Sequence, residues 1–130
     1  MQTRMKDLTV ELGPDRPGTL GRALEAIAKA SINVEGYAAI AGTFHLLTKD
    51  GAATRRALES GKFRIAREDD VVVVDLADRP GIAASLFGHL GDAGVNVAFS
   101  YVATGNRVVV GAVDVKKATE VIARETAAVG

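Results

Sequence analysis

The tetrapeptide Asp15-Arg16-Pro17-Gly18 recurs 63 residues later as Asp78-Arg79-Pro80-Gly81. At the same spacing Asp7 meets Asp70, Val10 meets Val73 and Ala30 meets Ala93. Asn33 likewise meets Asn96, Val34 meets Val97, and Gly42 meets Gly105. Ten identities thus fall in the 41 positions from Asp7 to Leu47 without a gap, where chance gives about three. A duplication of this kind restricts the fold more than any single motif does. Two copies of one small unit, over residues 4–68 and 69–130, divide the 130 residues. A unit of that size is marginal alone, so the two are expected to stabilise each other.

Each copy has the same internal order. Leu8, Val10 and Leu12 alternate with polar residues, as in a half-buried strand. A Gly- and Pro-rich turn follows, and Pro17 stands near a helix start, where its missing N–H costs nothing. Leu20, Leu24 and Ile27 keep helical spacing, with Glu25 and Lys29 as an i,i+4 pair on the polar side. Ile32–Ile40 reads as a strand that Gly42 turns into a hairpin with Phe44–Lys49. Residues 51–60 read as a second helix and Phe63–Arg67 as a last strand. The second copy repeats this: strand Val71–Leu76, a helix stripe of Ile82, Leu86, Leu90 and Ala93, a hairpin of Val95–Ala103 with Arg107–Val113, and a helix over 114–127. Glu68, Asp69 and Asp70 read as a solvated connector. The fold class expected is α+β: two ferredoxin-like βαββαβ units, the second lacking a full fourth strand. Val71–Val74 is apolar on both sides, which predicts a strand covered on both faces.

Composition narrows the function. Sixteen Lys and Arg balance sixteen Asp and Glu, so the chain has no electrostatic footprint for nucleic acid or an anionic membrane. It has no Cys, which excludes disulfides and thiolate chemistry, and no metal or cofactor motif is legible. The start of the chain has no apolar signal segment, and the longest aliphatic run, Val71–Val74, is far too short to span a bilayer. A cytoplasmic protein is the expectation. His45 has no carboxylate neighbour in sequence and reads as a surface or interface residue, and His89 as a helix-surface residue. Tyr37 and Tyr101 read as core or interface aromatics.

The strand, Asp-Arg-Pro-Gly, amphipathic helix and then Ile32-Asn33-Val34 or Val95-Asn96-Val97 form a pattern that occurs twice, in order, over nearly the whole chain. Each unit resembles an ACT domain, a small-molecule-sensing module attached to many enzymes of amino-acid metabolism. Phe44-His45-Leu46-Leu47 and Tyr101–Arg107 look like segments of stand-alone tandem ACT proteins. The resemblance implies a regulatory protein and not an enzyme. It implies a free amino acid or similar metabolite as ligand, held near the first strand–helix loop at interfaces between units. It also implies a homodimer and a metabolic enzyme as partner. The candidate ligand-binding residues are Asp15, Arg16, Gly18, Thr19, Leu20, Asn33 and Val34, with Asp78, Arg79, Gly81, Ile82, Ala83, Asn96 and Val97 in the second copy.

Elementary chemistry agrees with that assignment. The first turn of a helix offers unpaired N–H groups and partial positive charge to a carboxylate. Gly18, Thr19 and Leu20, and Gly81, Ile82 and Ala83, carry those groups. Asp15 and Asp78 can accept from an ammonium, and Asn33 and Asn96 can both donate and accept. Plainer roles stand beside these. Asp15 and Asp78 also suit helix capping, the two glycines suit tight packing, and the two asparagines suit the left-handed position after a helix. Arg16 and Arg79 read as solvated or as aids to an anionic ligand. A docking module without ligand, such as a regulatory subunit of a metabolic enzyme, remains the alternative; an enzyme or nucleic-acid binder on the same scaffold is disfavoured.

Overall fold

The computed structural model describes residues 2–14 and 16–129. Among them are six strands and four helices: β1 (Gln2–Glu11), α1 (Thr19–Lys29), β2 (Gly36–Ile40), β3 (Thr43–Leu47), α2 (Gly51–Ser60), β4 (Arg64–Asp75), α3 (Ile82–Asp92), β5 (Val97–Ala103), β6 (Arg107–Ala112) and α4 (Val115–Val129). The chain divides into two compact units, residues 5–69 (the N-terminal unit) and residues 70–130 with the head of β1 up to Arg4 (the C-terminal unit).

In the N-terminal unit β3 lies between β1 and β2, antiparallel to both. Leu8 and Val10 on β1 stand opposite Leu46 and Phe44 on β3. With Ala23 and Ile27 of α1 and Leu58 of α2 they form a core of wholly or nearly wholly buried side chains. The apolar stripe of α1 is therefore the one its sequence spacing predicts, and Glu25 pairs with Lys29 at 3.4 Å on the outer side. Helix α1 stops in a Schellman turn: Ile32 N–H bonds Ile27 O and Ser31 N–H bonds Ala28 O, with Ser31 at φ 59°. Helix α2 begins on Asp50, whose carboxylate accepts from Ala53 N–H at 3.0 Å. It ends in the same turn type, with Lys62 at φ 66° and Phe63 N–H on Leu58 O.

In the C-terminal unit β6 lies between β4 and β5, again antiparallel to both. Val72 and Val74 face α3 and α4 with Val108, Val110, Leu86, Leu90 and Ile122. Val71, Val73 and Val109 are as deeply buried on the opposite face. Helix α3 ends in a third Schellman turn, with Gly94 at φ 77° where the first copy has Ser31. Among the described residues no strand follows α4. The head of β1 groups with this unit instead, and Gln2 Nε2 donates to Thr119 O at 3.1 Å.

Four expectations need correction. Phe63–Arg67 and Val71–Leu76 are not two strands with a connector; β4 runs unbroken from Arg64 to Asp75 through Glu68, Asp69 and Asp70. Glu68 and Asp70 are exposed, and two of the three acids are paired: Arg67 Nε lies 3.1 Å from Asp69 Oδ2, and Arg55 lies 3.7 Å from Glu68. Strand β2 starts only at Gly36: Ile32 still closes the α1 turn, and Glu35 N–H reaches Leu47 O just before the strand begins. The middle of the polar side of β1 is not solvated: Asp7 is fully buried and Thr9 is 7% exposed, while Glu11 at its end is exposed. The left-handed positions after α1 and α3 belong to Ser31 and Gly94, and not to Asn33 and Asn96.

Candidate functional site

Both strand–helix loops enter their helix in the same way. Gly18 and Gly81 are the residues immediately before α1 and α3, at φ 90° and 88°, and neither helix receives a side-chain cap there. A positive φ of this size is natural only for glycine, which accounts for its recurrence at the fourth position of the repeated tetrapeptide. Asp78 is consequently not the cap of α3, contrary to the capping role its sequence position suggested; Gly81 holds that place. Asp15 lies outside the described residues.

The first loop closes over a cavity of about 240 Å³. Arg16, Gly18, Thr19 and Leu20 line it together with the hairpin tip Ala39–Gly42. Leu12 N–H bonds Gly42 O at 2.9 Å, which ties the end of β1 to that tip. Thr19 is buried and internally engaged. Its hydroxyl donates to Arg16 O at 3.2 Å, its amide reaches the same oxygen at 3.4 Å, and Arg22 donates to its Oγ1 at 3.4 Å. Of the first-turn amides proposed as donors, the one on Thr19 therefore already has an acceptor. Asn33 and Val34 do not line this cavity. Asn33 Nδ2 donates to Glu35 Oε2 at 2.7 Å, and Val34 packs against the core.

The second loop borders a different cavity, of about 430 Å³. Arg79 and Ile82 line it, whereas Asp78, Gly81 and Ala83 are exposed and do not. Asn96 is exposed and its carbonyl accepts from Val113 N–H; Val97 packs on the core. The two asparagines are thus alike in lying apart from the cavities at the loops. A further cavity of about 520 Å³, lined by Arg22, Glu25, Lys29, Gly61 and Phe63 among others, contains none of the predicted residues.

Two histidines have carboxylate partners that sequence proximity does not reveal. His45 Nδ1 lies 3.0 Å from Asp7 Oδ2, and Thr9 donates to the same oxygen at 3.2 Å. Strand register brings these together, since Thr9 stands opposite His45. His89 Nδ1 lies 3.0 Å from Glu125 Oε1, one helix away. The signal available in sequence was pairing of β1 with β3, which places alternate residues of both on one face. Tyr101 is buried as expected, stacked on Phe99, while Tyr37 is half exposed at the edge of the Phe44 ring. Among the described residues no three His, Asp or Glu side chains gather as a metal site, and no helix is long and apolar enough to cross a membrane.

No family model and no curated protein matches the sequence. Solved structures do. A protein of Bacteroides thetaiotaomicron is 26% identical with a TM-score of 0.72, over 97% of this chain and 90% of that one. The regulatory subunit of aspartate kinase from Thermus flavus is 18% identical with a TM-score of 0.66, over 95% and 94% of the two chains. E. coli aspartokinase III in complex with lysine and aspartate is 17% identical with a TM-score of 0.59, over 92% of this chain and 30% of that one. This chain has a mixed α+β fold similar to that of the regulatory subunits of aspartate kinase.

Proposed function

We propose that this chain is an amino-acid-binding regulatory protein made of two ACT-like units, residues 4–68 and 69–130, each ferredoxin-like, and not an enzyme. It acts in the cytoplasm as a homodimer and transmits the presence of a free amino acid, or a similar metabolite, to a metabolic enzyme. The observation that carries this reading is the doubled helix start. Gly18 and Gly81 take the same left-handed conformation and leave the first turns of α1 and α3 without a side-chain cap. Uncapped first-turn amides, with the positive end of a helix behind them, suit a ligand carboxylate. Arg16 and Arg79 add cationic character beside them. The fold shared with regulatory subunits of aspartate kinase supports the regulatory role, and the neighbour solved with lysine and aspartate supports the ligand class. Ligand binding transmits a signal only if it favours one arrangement of the protein over another.

A thermal-shift screen against the twenty amino acids tests it. A selective, saturable rise in the unfolding midpoint is expected, worth about 2.7 kcal/mol at 100 times Kd. Calorimetry on Gly18→Ala and Gly81→Ala, each first verified as folded, should then show unequal losses. The loops diverge after the glycine, to Thr19-Leu20-Gly21 in one and Ile82-Ala83-Ala84 in the other. No response to any amino acid refutes the reading. A ligand-free docking module is the second reading, favoured by the exposure of Ile40 (71%) and Val102 (75%).

A further inference from the structure

In the N-terminal unit the end of β1, the first turn of α1 and the turn from α2 into β4 border a cavity of about 400 Å³. Glu11, Thr19, Arg22, Lys62, Phe63 and Arg64 are among its lining residues. It differs from the loop cavity, since Arg16, Gly18 and the hairpin tip do not border it. Three of its side chains are cationic and one is acidic. Both guanidinium groups are held against residues that themselves line the cavity. Arg22 Nη2 donates to Thr19 Oγ1 at 3.4 Å, and Arg64 Nη1 lies 3.5 Å from Glu11 Oε2. Arg22 and Lys62 meet no carboxylate among the described residues. Lys62 also holds the left-handed position of its turn, at φ 66°, where glycine is the less strained choice. Stability therefore does not account for a lysine there. Charges of one sign on the walls of a cleft repel one another and focus their field into it, and a bound anion relieves that repulsion.

We propose that this cavity binds one compact phosphate dianion, free or as a phosphomonoester. The forks of Arg22 and Arg64 donate to its oxygens, and Lys62 adds a point charge. The Arg64–Glu11 pair is long and exposed, so little is lost when Arg64 shares its donors with a ligand. Three cations less one carboxylate leave two positive charges, which a dianion matches. A zwitterionic amino acid would bring its ammonium among these cations, so this ligand is not the one read for the loops. The duplication supplies an internal contrast. Sixty-three residues on, Glu11, Thr19 and Arg22 become Val74, Ile82 and Ser85, and these line the 430 Å³ cavity of the C-terminal unit. Asp50 and Asp114 each accept from the amide three residues on, which aligns α2 with α4 and sets Gly61 in the place of Glu125. The same concavity is thus kept in both copies, cationic in one and largely aliphatic with a carboxylate in the other. One anion site per chain is the consequence.

Calorimetry on the full chain with inorganic phosphate and with methyl phosphate, at a fixed ionic strength of about 0.15 M, tests this. Saturable binding at one site per chain is expected. Arg22→Gln, which loses inside the protein only the 3.4 Å contact with Thr19, should weaken it about tenfold or more. Lys62→Gly relieves the positive φ, so the variant folds at least as well, and it should still weaken binding several-fold. Arg56→Gln removes a cation from α2 outside the cavity and should leave binding unchanged. Tighter binding of methyl phosphate identifies a phosphomonoester as the ligand class, and tighter binding of inorganic phosphate identifies the free ion; both support the site. Absence of saturable binding overturns it, as does binding unchanged in Arg22→Gln and Lys62→Gly. Equal weakening by Arg56→Gln shows diffuse charge attraction only and also overturns it. None of these results bears on the amino-acid screen, which reads a different cavity.

Discussion

Gly111 on β6 stands directly opposite Phe99 on β5. A methyl group placed on its Cα comes within 2.5 Å of three ring carbons of Phe99. Optimal carbon–carbon separation is about 3.5–4.0 Å, so the ring or the strand must move by about 1 Å. Retreat of the ring is limited, because Phe99 stacks on the buried Tyr101 with centroids 6.3 Å apart and planes 12° from parallel. Gly111 does not have a positive φ, so alanine meets no backbone objection there. Gly111→Ala consequently isolates packing. Overpacking costs about 1–3 kcal/mol, and the reduced freedom of the unfolded chain returns about 0.4–1 kcal/mol. The net expectation is a loss of about 1–2 kcal/mol, or a midpoint lowered by roughly 3–8 °C. Urea unfolding followed by circular dichroism, on wild type, Gly111→Ala, Phe99→Ala and the double variant, measures it. With Phe99 removed, Gly111→Ala should be neutral or stabilising by about 0.4–1 kcal/mol. Equal destabilisation in both backgrounds, or none in either, would refute the argument that the ring reserves this space.

Ser31 and Lys62 hold the left-handed position of their Schellman turns, at φ 59° and 66°, where the second copy uses Gly94. Ser31→Gly and Lys62→Gly should each stabilise by about 0.5–1 kcal/mol, read as a higher urea midpoint at unchanged m-value. Asp50→Ala removes the 3.0 Å acceptor for Ala53 N–H and should cost about 1 kcal/mol, while Asp50→Asn, which still accepts, should cost little in the same assay. Gly88 lies inside α3 with nothing within 4 Å of an added methyl, so Gly88→Ala should raise stability by about 0.5–1 kcal/mol in thermal unfolding.

The parts of the fold that follow from local chemistry were legible in the sequence. The stripe Leu20, Leu24, Ile27 faces the core because helical geometry leaves it no other face to bury. The two-sided burial of Val71–Val74 follows from a strand with no polar face. What depended on distant pairing was not legible. Asp7 looks solvated beside Lys6, yet register with β3 sets it against His45, 38 residues on. The acidic run Glu68–Asp70 looks like a linker, yet Arg55 pairs with Glu68, Arg67 pairs with Asp69, and β4 continues through. Glu125 gives no sequence signal, since its partners Ser85 and His89 lie on another helix.

The repeated tetrapeptide can be divided by what the backbone requires of it. Gly18 and Gly81 are fixed by their φ angles, and Pro17 and Pro80 suit a chain about to enter a helix. No such requirement accounts for the acid and the base. Asp78 and Arg79 are exposed, Asp78 caps nothing, and neither makes a side-chain hydrogen bond or ion pair among the described residues. Arg16 is alike in the first copy and lines the loop cavity. The helix faces show the opposite behaviour: Arg22 against Ser85, and Gly61 against Glu125, have diverged in charge while their helices kept the same packing role. A duplication retains by necessity only the residues its backbone needs. Arg16 and Arg79, retained at both loops without a side-chain partner among the described residues, are therefore not accounted for by the stability of either unit.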